Sequence, residues 1–310
     1  MNAHDHDHGG HDHHHGGHHH HRGPVALGDR RYLIAIGLSL TIVAVETIGG
    51  FLANSTALVA DAGHVLSDVL GLALAGGATW LAARPARGRR TYGFGKATVL
   101  AALANGVVLI FVSGGIALEA VNRLMRPEGV GSLLVMATAG VGVVVNSITA
   151  LMFSRGRERD LNVRGVFLHM AGDAGISLGV IAAAVAILLT GWTWIDPVVS
   201  LAIVAFIVWG TWGLLREAAD LALDAAPADA DLESIHDFLS RSAGVTEVHD
   251  LHLWAMSTTE MALTAHLVRP EHDGGDAFRA DLAEELEHRF GVRHATLQIE
   301  QARGEHCPVC

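Results

Sequence analysis

The sequence predicts an α-helical membrane protein, with six transmembrane helices followed by a small cytoplasmic α+β domain. Half of the 310 residues are hydrophobic and the mean hydropathy is +0.35, high for a soluble chain of this length. Six apolar stretches, 31–53, 56–83, 97–122, 130–154, 164–190 and 193–215, each reach the ~20 residues that cross a bilayer. From about Asp220 these runs give way to short helical and alternating patterns, as in a water-exposed domain.

Residues 1–30 mix histidine with Asp and Gly, as in HDHDHGGHDHHHGGHHHH. That composition cannot bury a core, so the segment reads as a disordered tail, native rather than an added tag because its histidines are irregularly spaced. It lacks an apolar core followed by a cleavage site, so no cleavable signal peptide is expected. The basic residues between the spans are asymmetric. Arg22, Arg30 and Arg31 precede the first span, and Arg84, Arg87, Arg89, Arg90 and Lys96 separate the second from the third. Arg155, Arg157, Arg159 and Arg164 separate the fourth from the fifth, and Arg216 follows the sixth. Only Arg123 and Arg126 lie on the other side. The positive-inside rule then puts both termini in the cytoplasm. The domains expected are the tail 1–30, the membrane domain 31–216, the α+β domain 217–302 and a Cys-x-x-Cys tail 303–310.

In the α+β domain, ADLESIHDFLSRSAG reads as a helix ended at Gly244. VTEVHDLHLWAM and EMALTAHLV alternate as strands. DAFRADLAEELEHRFG is a helix stopped at Gly291, and RHATLQIE is a last strand. The order αββαβ suits a two-layer domain with helices on one face of a sheet, in the manner of ferredoxin or metallochaperone folds.

Polar residues inside the spans carry the functional signal. In DAGHVLSD of the second span, Asp61, His64 and Asp68 stand at i, i+3 and i+7, on one helical face. Each costs several kcal/mol in hydrocarbon by most estimates. LHMAGDAG of the fifth span repeats the His-x-x-x-Asp spacing with His169 and Asp173. Two such pairs supply two imidazoles and two carboxylates, a complete tetrahedral set for Zn²⁺ and, less exclusively, for Co²⁺, Cd²⁺ or Ni²⁺. The two spans run antiparallel, so His64 should face Asp173 and Asp68 should face His169. A depth count along the helices nevertheless offsets the pairs by about two turns. Asp61 is expected to orient His64 rather than to ligate. Asn105 and Asn146 read as interhelical hydrogen-bond formers, and Glu46 as an ionisable residue without an assigned partner.

These motifs, with YGFGKATVLAALANG entering the third span, NVRGVFLHMAGDAGISLGV on the fifth, WIDPVVSLAI on the sixth and VHDLHLWAM in the tail, resemble the cation diffusion facilitator family. The likeness covers about residues 30–300 and points to the zinc-transporting branch, including bacterial zinc and cobalt–zinc–cadmium resistance efflux proteins. It implies a homodimer in the bacterial inner membrane that exports Zn²⁺ in exchange for protons by alternating access. His64, Asp68, His169 and Asp173 would be the transport ligands. One departure is Thr98, where the family often has a glutamate two residues after a basic position. The loop 84–96 has arginines and no histidine, so no metal site is expected there. The resemblance also favours a regulatory zinc site, of one ion or two, drawn from His249, His266, His294 and Glu300. His249 and His252, an odd spacing apart, face opposite sides of a regular strand and share one ion only across a bulge. His252 can instead be a packing residue.

The ending EHCPVC sets His306, Cys307 and Cys310 in one short loop, a candidate thiolate metal site. The histidine tail suggests weak multivalent zinc capture. The formal net charge of −11 reflects Asp and Glu concentrated at the two ends, so it describes the tails rather than one surface, and no nucleic-acid partner is expected. The partners expected are a second copy of the chain, the lipid bilayer and divalent metal ions. A metallohydrolase would need a general base beside an open ligand position, and no His-Glu-x-x-His motif is present, so no enzyme is expected. A membrane-anchored zinc buffer or sensor is the other rival, and would be unaffected in flux by loss of Asp68 or His169.

Overall fold

The computed structural model describes residues 30–154, 161–271 and 275–303. The histidine-rich tail, the basic run at Arg155, Arg157 and Arg159, and the ending with His306, Cys307 and Cys310 lie outside the described residues. Six helices long and apolar enough to cross a membrane come first. They are α1 (Arg30–Ala53), α2 (Thr56–Ala82), α3 (Lys96–Met125), α4 (Ser132–Ser154), α5 (Leu161–Thr190) and α6 (Ile195–Ala222). Even α4, with 23 residues, is about 35 Å long at 1.5 Å per residue, enough for the ~30 Å hydrocarbon core. Phe51, Phe111, Leu151, Leu189 and Trp209 are exposed on the outward faces, which suits lipid as the solvent. Trp192 and Trp194 stack at 5.8 Å in the α5–α6 turn, where an interfacial aromatic belt belongs.

Within the bundle α4 lies along α5, α3 along α6, and α1 against both α2 and α4, whereas α2 meets α5 only over a short stretch. Small residues permit the tightest approaches. A Cβ added at Gly142 of α4 would run into the Glu46 carboxylate of α1 and stand 3.0 Å from Ser177 Oγ of α5. We expect Gly142→Ala to cost about 1–3 kcal/mol through overpacking. The thermal midpoint of the detergent-solubilised protein should fall, while Gly140→Ala, which meets open space, should not lower it through a clash. Equal midpoints for the two variants would contradict this packing.

The turn between α1 and α2 is tied at several points. Asn54 is left-handed (φ 54°) and its Nδ2 donates to Glu128 Oε2 at 2.8 Å. Arg123 Nη1 donates to the Asn54 carbonyl at 2.5 Å. Ser55 caps α2 by accepting from the Leu58 amide. The Asp196 carboxylate, at the start of α6 and 2% exposed, accepts from Ser55 Oγ, from Thr56 N at 2.7 Å and from Thr56 Oγ1 at 2.8 Å. An anion at a helix N-terminus satisfies orphan amides and complements the macrodipole, and here one carboxylate does so for α2 while sitting in the first turn of α6.

The C-terminal domain has α7 (Leu232–Ser240), β1 (Glu247–Ala255), β2 (Met261–Val268), α8 (Asp276–Phe290) and β3 (Val292–Glu300), the αββαβ order expected. The sheet order is β1-β2-β3, with β1 antiparallel and β3 parallel to β2. Ile235 and Leu239 of α7 and Leu282 and Leu286 of α8 bury against Leu253, Leu263, Ala265, Leu267 and Leu297 of the sheet. Both helices therefore cover one face, and residues of the other parity, such as His266 and Glu300, point from the opposite face. Gly291 takes the left-handed conformation that ends α8 (φ 73°). Asp231 caps α7 by accepting from Ser234 N at 2.9 Å and Ser234 Oγ at 2.5 Å, which holds its carboxyl below the usual range.

The two parts meet at the start of α3. Lys96 Nζ donates to the Leu221 carbonyl at 2.8 Å and to Asp224 Oδ1 at 2.5 Å. Thr98 Oγ1 accepts from the Thr258 amide at 3.1 Å. A Cβ at Gly95 would stand 2.5 Å from the Met256 carbonyl oxygen, so only glycine lets the β1–β2 turn come so near. Thr98, the departure from the family pattern, thus receives the turn of the C-terminal domain in this chain.

Candidate metal centre

His64 and Asp68 occupy the third and fourth turns of α2, and His169 and Asp173 the same turns of α5. The i, i+4 spacing sends each pair toward the other helix, and the antiparallel direction sets the cross-pairs. His64 Nε2 lies 3.5 Å from Asp173 Oδ1, and His169 Nε2 lies 3.2 Å from Asp68 Oδ2. Within each helix, His64 Nδ1 is 3.7 Å from Asp68 Oδ2 and His169 Nε2 is 3.8 Å from Asp173 Oδ2. The imidazoles meet edge-on, with centroids 6.1 Å apart. Donor atoms of a tetrahedral ion with ligands near 2.0–2.1 Å stand about 3.3 Å apart. The separations seen are close to that edge. His64, Asp68 and Asp173 bring one donor atom each within 4.8 Å of one another, and His169 completes the ring through Asp68.

The depth offset counted from the sequence does not appear. That count assumes helices that run side by side with level ends, and α2 crosses α5 instead. The side chains are unequally exposed: Asp173 is 4% exposed and His169 43%. His64, Asp68 and His169 line a cavity of about 690 Å³ that continues past Asn105 and Glu217 to Thr258. It therefore opens toward the C-terminal domain. On the other side the buried carboxylates of Glu46 and Asp61, each 0% exposed, close the bundle. His64 Nδ1 and Asp68 Oδ2 are buried without a well-directed hydrogen bond among the described residues. Unused lone pairs of this kind are what a cation would take.

Comparison with known proteins bears on this geometry. Residues 32–221 match the cation efflux transmembrane domain, and residues 227–302 match the cytoplasmic domain of cation efflux proteins. The chain belongs to the cation efflux family. Relatives include the cation efflux system protein CzcD of Alcaligenes sp. (strain CT14), 34% identical over 305 residues, 97% of this chain and 90% of the relative. The zinc transporter ZitB of Escherichia coli (strain K12) is 35% identical over 274 residues, 87% of each chain. The cadmium, cobalt and zinc/H⁺–K⁺ antiporter of Bacillus subtilis (strain 168) is 33% identical over 267 residues, 84% of this chain and 86% of the relative.

Other expected positions in this cation efflux protein divide. Asp61 does not hydrogen-bond His64. Its Oδ2 accepts from Ser177 Oγ at 2.9 Å, so it ties α2 to α5 one turn beyond Asp173. Spacing along one helix is visible in a sequence and a partner on another helix is not, so the i, i+3 neighbour His64 stands out and Ser177 does not. Glu46 packs over Gly142 near Ser177, with no hydrogen bond to either carboxylate oxygen among the described residues. Asp196 was missed as a positioning residue. The sequence signal was an acid beside Pro197 at the start of an apolar span, facing a Ser-Thr pair at the start of another.

In the C-terminal domain, His249, His266 and Glu300 come together. His249 Nε2 is 3.3 Å from Glu300 Oε2, and His266 Nδ1 is 3.0 Å from Glu300 Oε1. Desolvation works to raise the Glu300 carboxyl, but the Gln298 amide, the His249 ring and positive charge on His266 outweigh it and hold it below its usual value. An ionised carboxylate is the form a metal needs. His294 is not part of this group. It lies six residues from Glu300 along β3, about 20 Å in extended chain, with its ring beside Tyr92 at 6.4 Å.

Proposed function

We propose that this protein exports Zn²⁺ from the cytoplasm in exchange for protons, by alternating access around His64, Asp68, His169 and Asp173. Cd²⁺, Co²⁺ and Ni²⁺ are further candidate substrates. The observation that carries the reading is the convergence of two His-x-x-x-Asp pairs, three of whose residues line a cavity that extends to Thr258 of the C-terminal domain. The names of the relatives, which specify zinc, cadmium and cobalt, support the substrate class. The arginine asymmetry supports an inner-membrane protein with both termini cytoplasmic. Membership of the family supports a homodimer, and the cluster of His249, His266 and Glu300 reads as a regulatory zinc site.

The exchange follows from the ligand set. Zn²⁺ needs neutral imidazole and ionised carboxylate, so protons and metal compete for the same atoms. With the cavity open to the cytoplasm, the four groups lose protons and take Zn²⁺. When the Asp61 and Glu46 side opens to a more acidic compartment, protonation of His64 and His169 weakens their grip and the ion leaves. The protons then return with the empty site.

In proteoliposomes with the cytoplasmic face outward, an acidic lumen should raise the ⁶⁵Zn accumulated at equilibrium by about tenfold per unit of pH gradient for each proton exchanged, since one pH unit is about 1.36 kcal/mol per proton. Reversing the gradient should suppress uptake. Uptake that ignored the gradient in both directions would overturn proton coupling.

A further inference from the structure

Two cavities face α3 in succession. The large one, which holds three of the transport ligands, runs along Thr98 to Leu109. A smaller one of about 220 Å³ lies farther along α3, toward the end remote from the C-terminal domain. It sits between α1, α2 and α3 and is lined by Gly50, Val59, Gly115, Ile116, Glu119 and Arg123 among others. None of the four transport ligands lines it. Ile116 separates the two spaces. Its Cδ1 would stand 3.2 Å from a Cβ at Gly63, so it packs on the α2 backbone one residue before His64.

The outer end of the small cavity is crossed by a polar tie. Arg123 Nε donates to Glu119 Oε1, one turn back on α3, at 2.9 Å. Its Nη1 donates to the Asn54 carbonyl in the α1–α2 turn at 2.5 Å. The guanidinium is planar, so holding Nε on Glu119 aims Nη1 across the gap. The same turn is gripped from the α3–α4 loop. Asn54 Nδ2 donates to Glu128 Oε2 at 2.8 Å and to the Gly129 carbonyl at 3.3 Å, and the Gly131 amide donates to the Ala53 carbonyl at 2.8 Å. An arginine that caps the last carbonyls of α1 would be an ordinary feature on its own. Here Asn54 and Arg123 also line a cavity that ends one side chain short of the transport site.

We propose that the small cavity is the release vestibule of the transport path, and that Arg123, aimed by Glu119, is the strap that keeps it shut. The proposal rests on the alternating-access reading above. While the large cavity is open, Arg123 holds α3 to the α1–α2 turn, and Ile116 stands between the vestibule and His64. Release needs α3 to part from that turn, which breaks the bond to Asn54 and moves Ile116 off Gly63. The pair with Glu119 lies within α3 and survives the movement, so Arg123 is ready to close again once the ion has left. Glu119 is then a positioning residue for the strap.

The test reads labelling of the full-length protein in proteoliposomes by a charged maleimide present on both sides of the membrane, without added zinc. A cysteine is placed in the small cavity by Val59→Cys or in the large one by Ala101→Cys. Labelling is scored at that position by peptide mass, so that Cys307 and Cys310 do not count. Arg123→Gln should raise labelling at position 59 about tenfold, the shift expected when one charge-assisted hydrogen bond is removed from one of two states. Labelling at position 101 should not rise. Glu128→Ala, which frees only the Asn54 side chain, should act in the same direction and less strongly, and it decides the matter if Arg123→Gln does not fold. Unchanged labelling at position 59 in the folded variants would overturn the strap. A rise at both positions would also overturn it, making Arg123 a helix cap whose loss loosens the whole bundle. Either result beside abolished zinc flux in Asp173→Ala would remove the strap alone, whereas full flux in Asp173→Ala would remove the transport site on which it rests.

Discussion

Replacing Asp173 by alanine should abolish zinc flux, with uptake into proteoliposomes falling at least about a hundredfold. Removal of groups that merely support metal ligands already costs 10–100-fold in affinity or activity, and Asp173 is placed to be a ligand. Its carboxylate is 4% exposed and faces His64 Nε2 at 3.5 Å. Asp68 reaches the other nitrogen of that ring, at 3.7 Å, so Asp173 alone serves Nε2. The variant also leaves a methyl group where a buried anion was, so folding is a concern, but losing an acid from an apolar bundle removes a desolvation cost. We therefore expect Asp173→Ala to reach the membrane and fold. Asp173→Asn is the closer isostere and should fail nearly as completely, because a neutral amide binds Zn²⁺ poorly. By contrast His294→Ala, outside both clusters, should transport at the level of the unmutated protein. Flux in Asp173→Ala near that level would remove the intramembrane site from the account.

The second large effect is expected at Asp196, in the first turn of α6. Its carboxylate receives Ser55 Oγ, Thr56 N and Thr56 Oγ1 in a place that water does not reach. Hydrogen bonds to a charged group contribute about 1.5–3 kcal/mol each, and the donors left behind by truncation carry their own desolvation penalty. Asp196→Ala should therefore cost about 3 kcal/mol or more, read as a large fall in the thermal midpoint in detergent. Asp196→Asn keeps an acceptor oxygen and should lose less. Flux should decline with the midpoint, because α2 carries His64 and Asp68 and would lose its fixed start. A variant with an unchanged midpoint and abolished flux would instead make Asp196 a direct participant in transport.

The contrast between these residues shows what a sequence can disclose here. Six spans were readable because hydrocarbon demands about twenty apolar residues at a stretch, and α1 to α6 match those stretches closely. The end of α6 was placed too early, at 215 rather than Ala222, because its last turns carry Arg216, Glu217 and Asp220 as they leave the apolar zone. His64, Asp68, His169 and Asp173 stood out because polar groups in lipid are expensive and their i, i+4 spacing is visible along one helix. Their cross-pairing followed from antiparallel direction alone. Their common depth did not, since it depends on how helices cross.

Contacts between elements were the hidden part. Ser177 meeting Asp61, Asp196 capping α2 and Thr98 receiving the β1–β2 turn join residues 116, 140 or more, and 160 positions apart. No local pattern records such pairs. A bulge in β1 between His249 and His252 is an intermediate case. VHDLH has the odd spacing that forbids a shared face in a regular strand, and the sequence therefore posed the question without answering it.

The central claim is that zinc and protons use the same four side chains in turn. The most direct measurement records zinc entry and luminal pH together in one proteoliposome preparation, for the unmutated protein and for Asp68→Ala. Zinc entry should be accompanied by proton exit in a fixed ratio, and both should vanish together in the variant. Zinc entry without proton exit, or proton-coupled entry that survives the loss of Asp68, would contradict it.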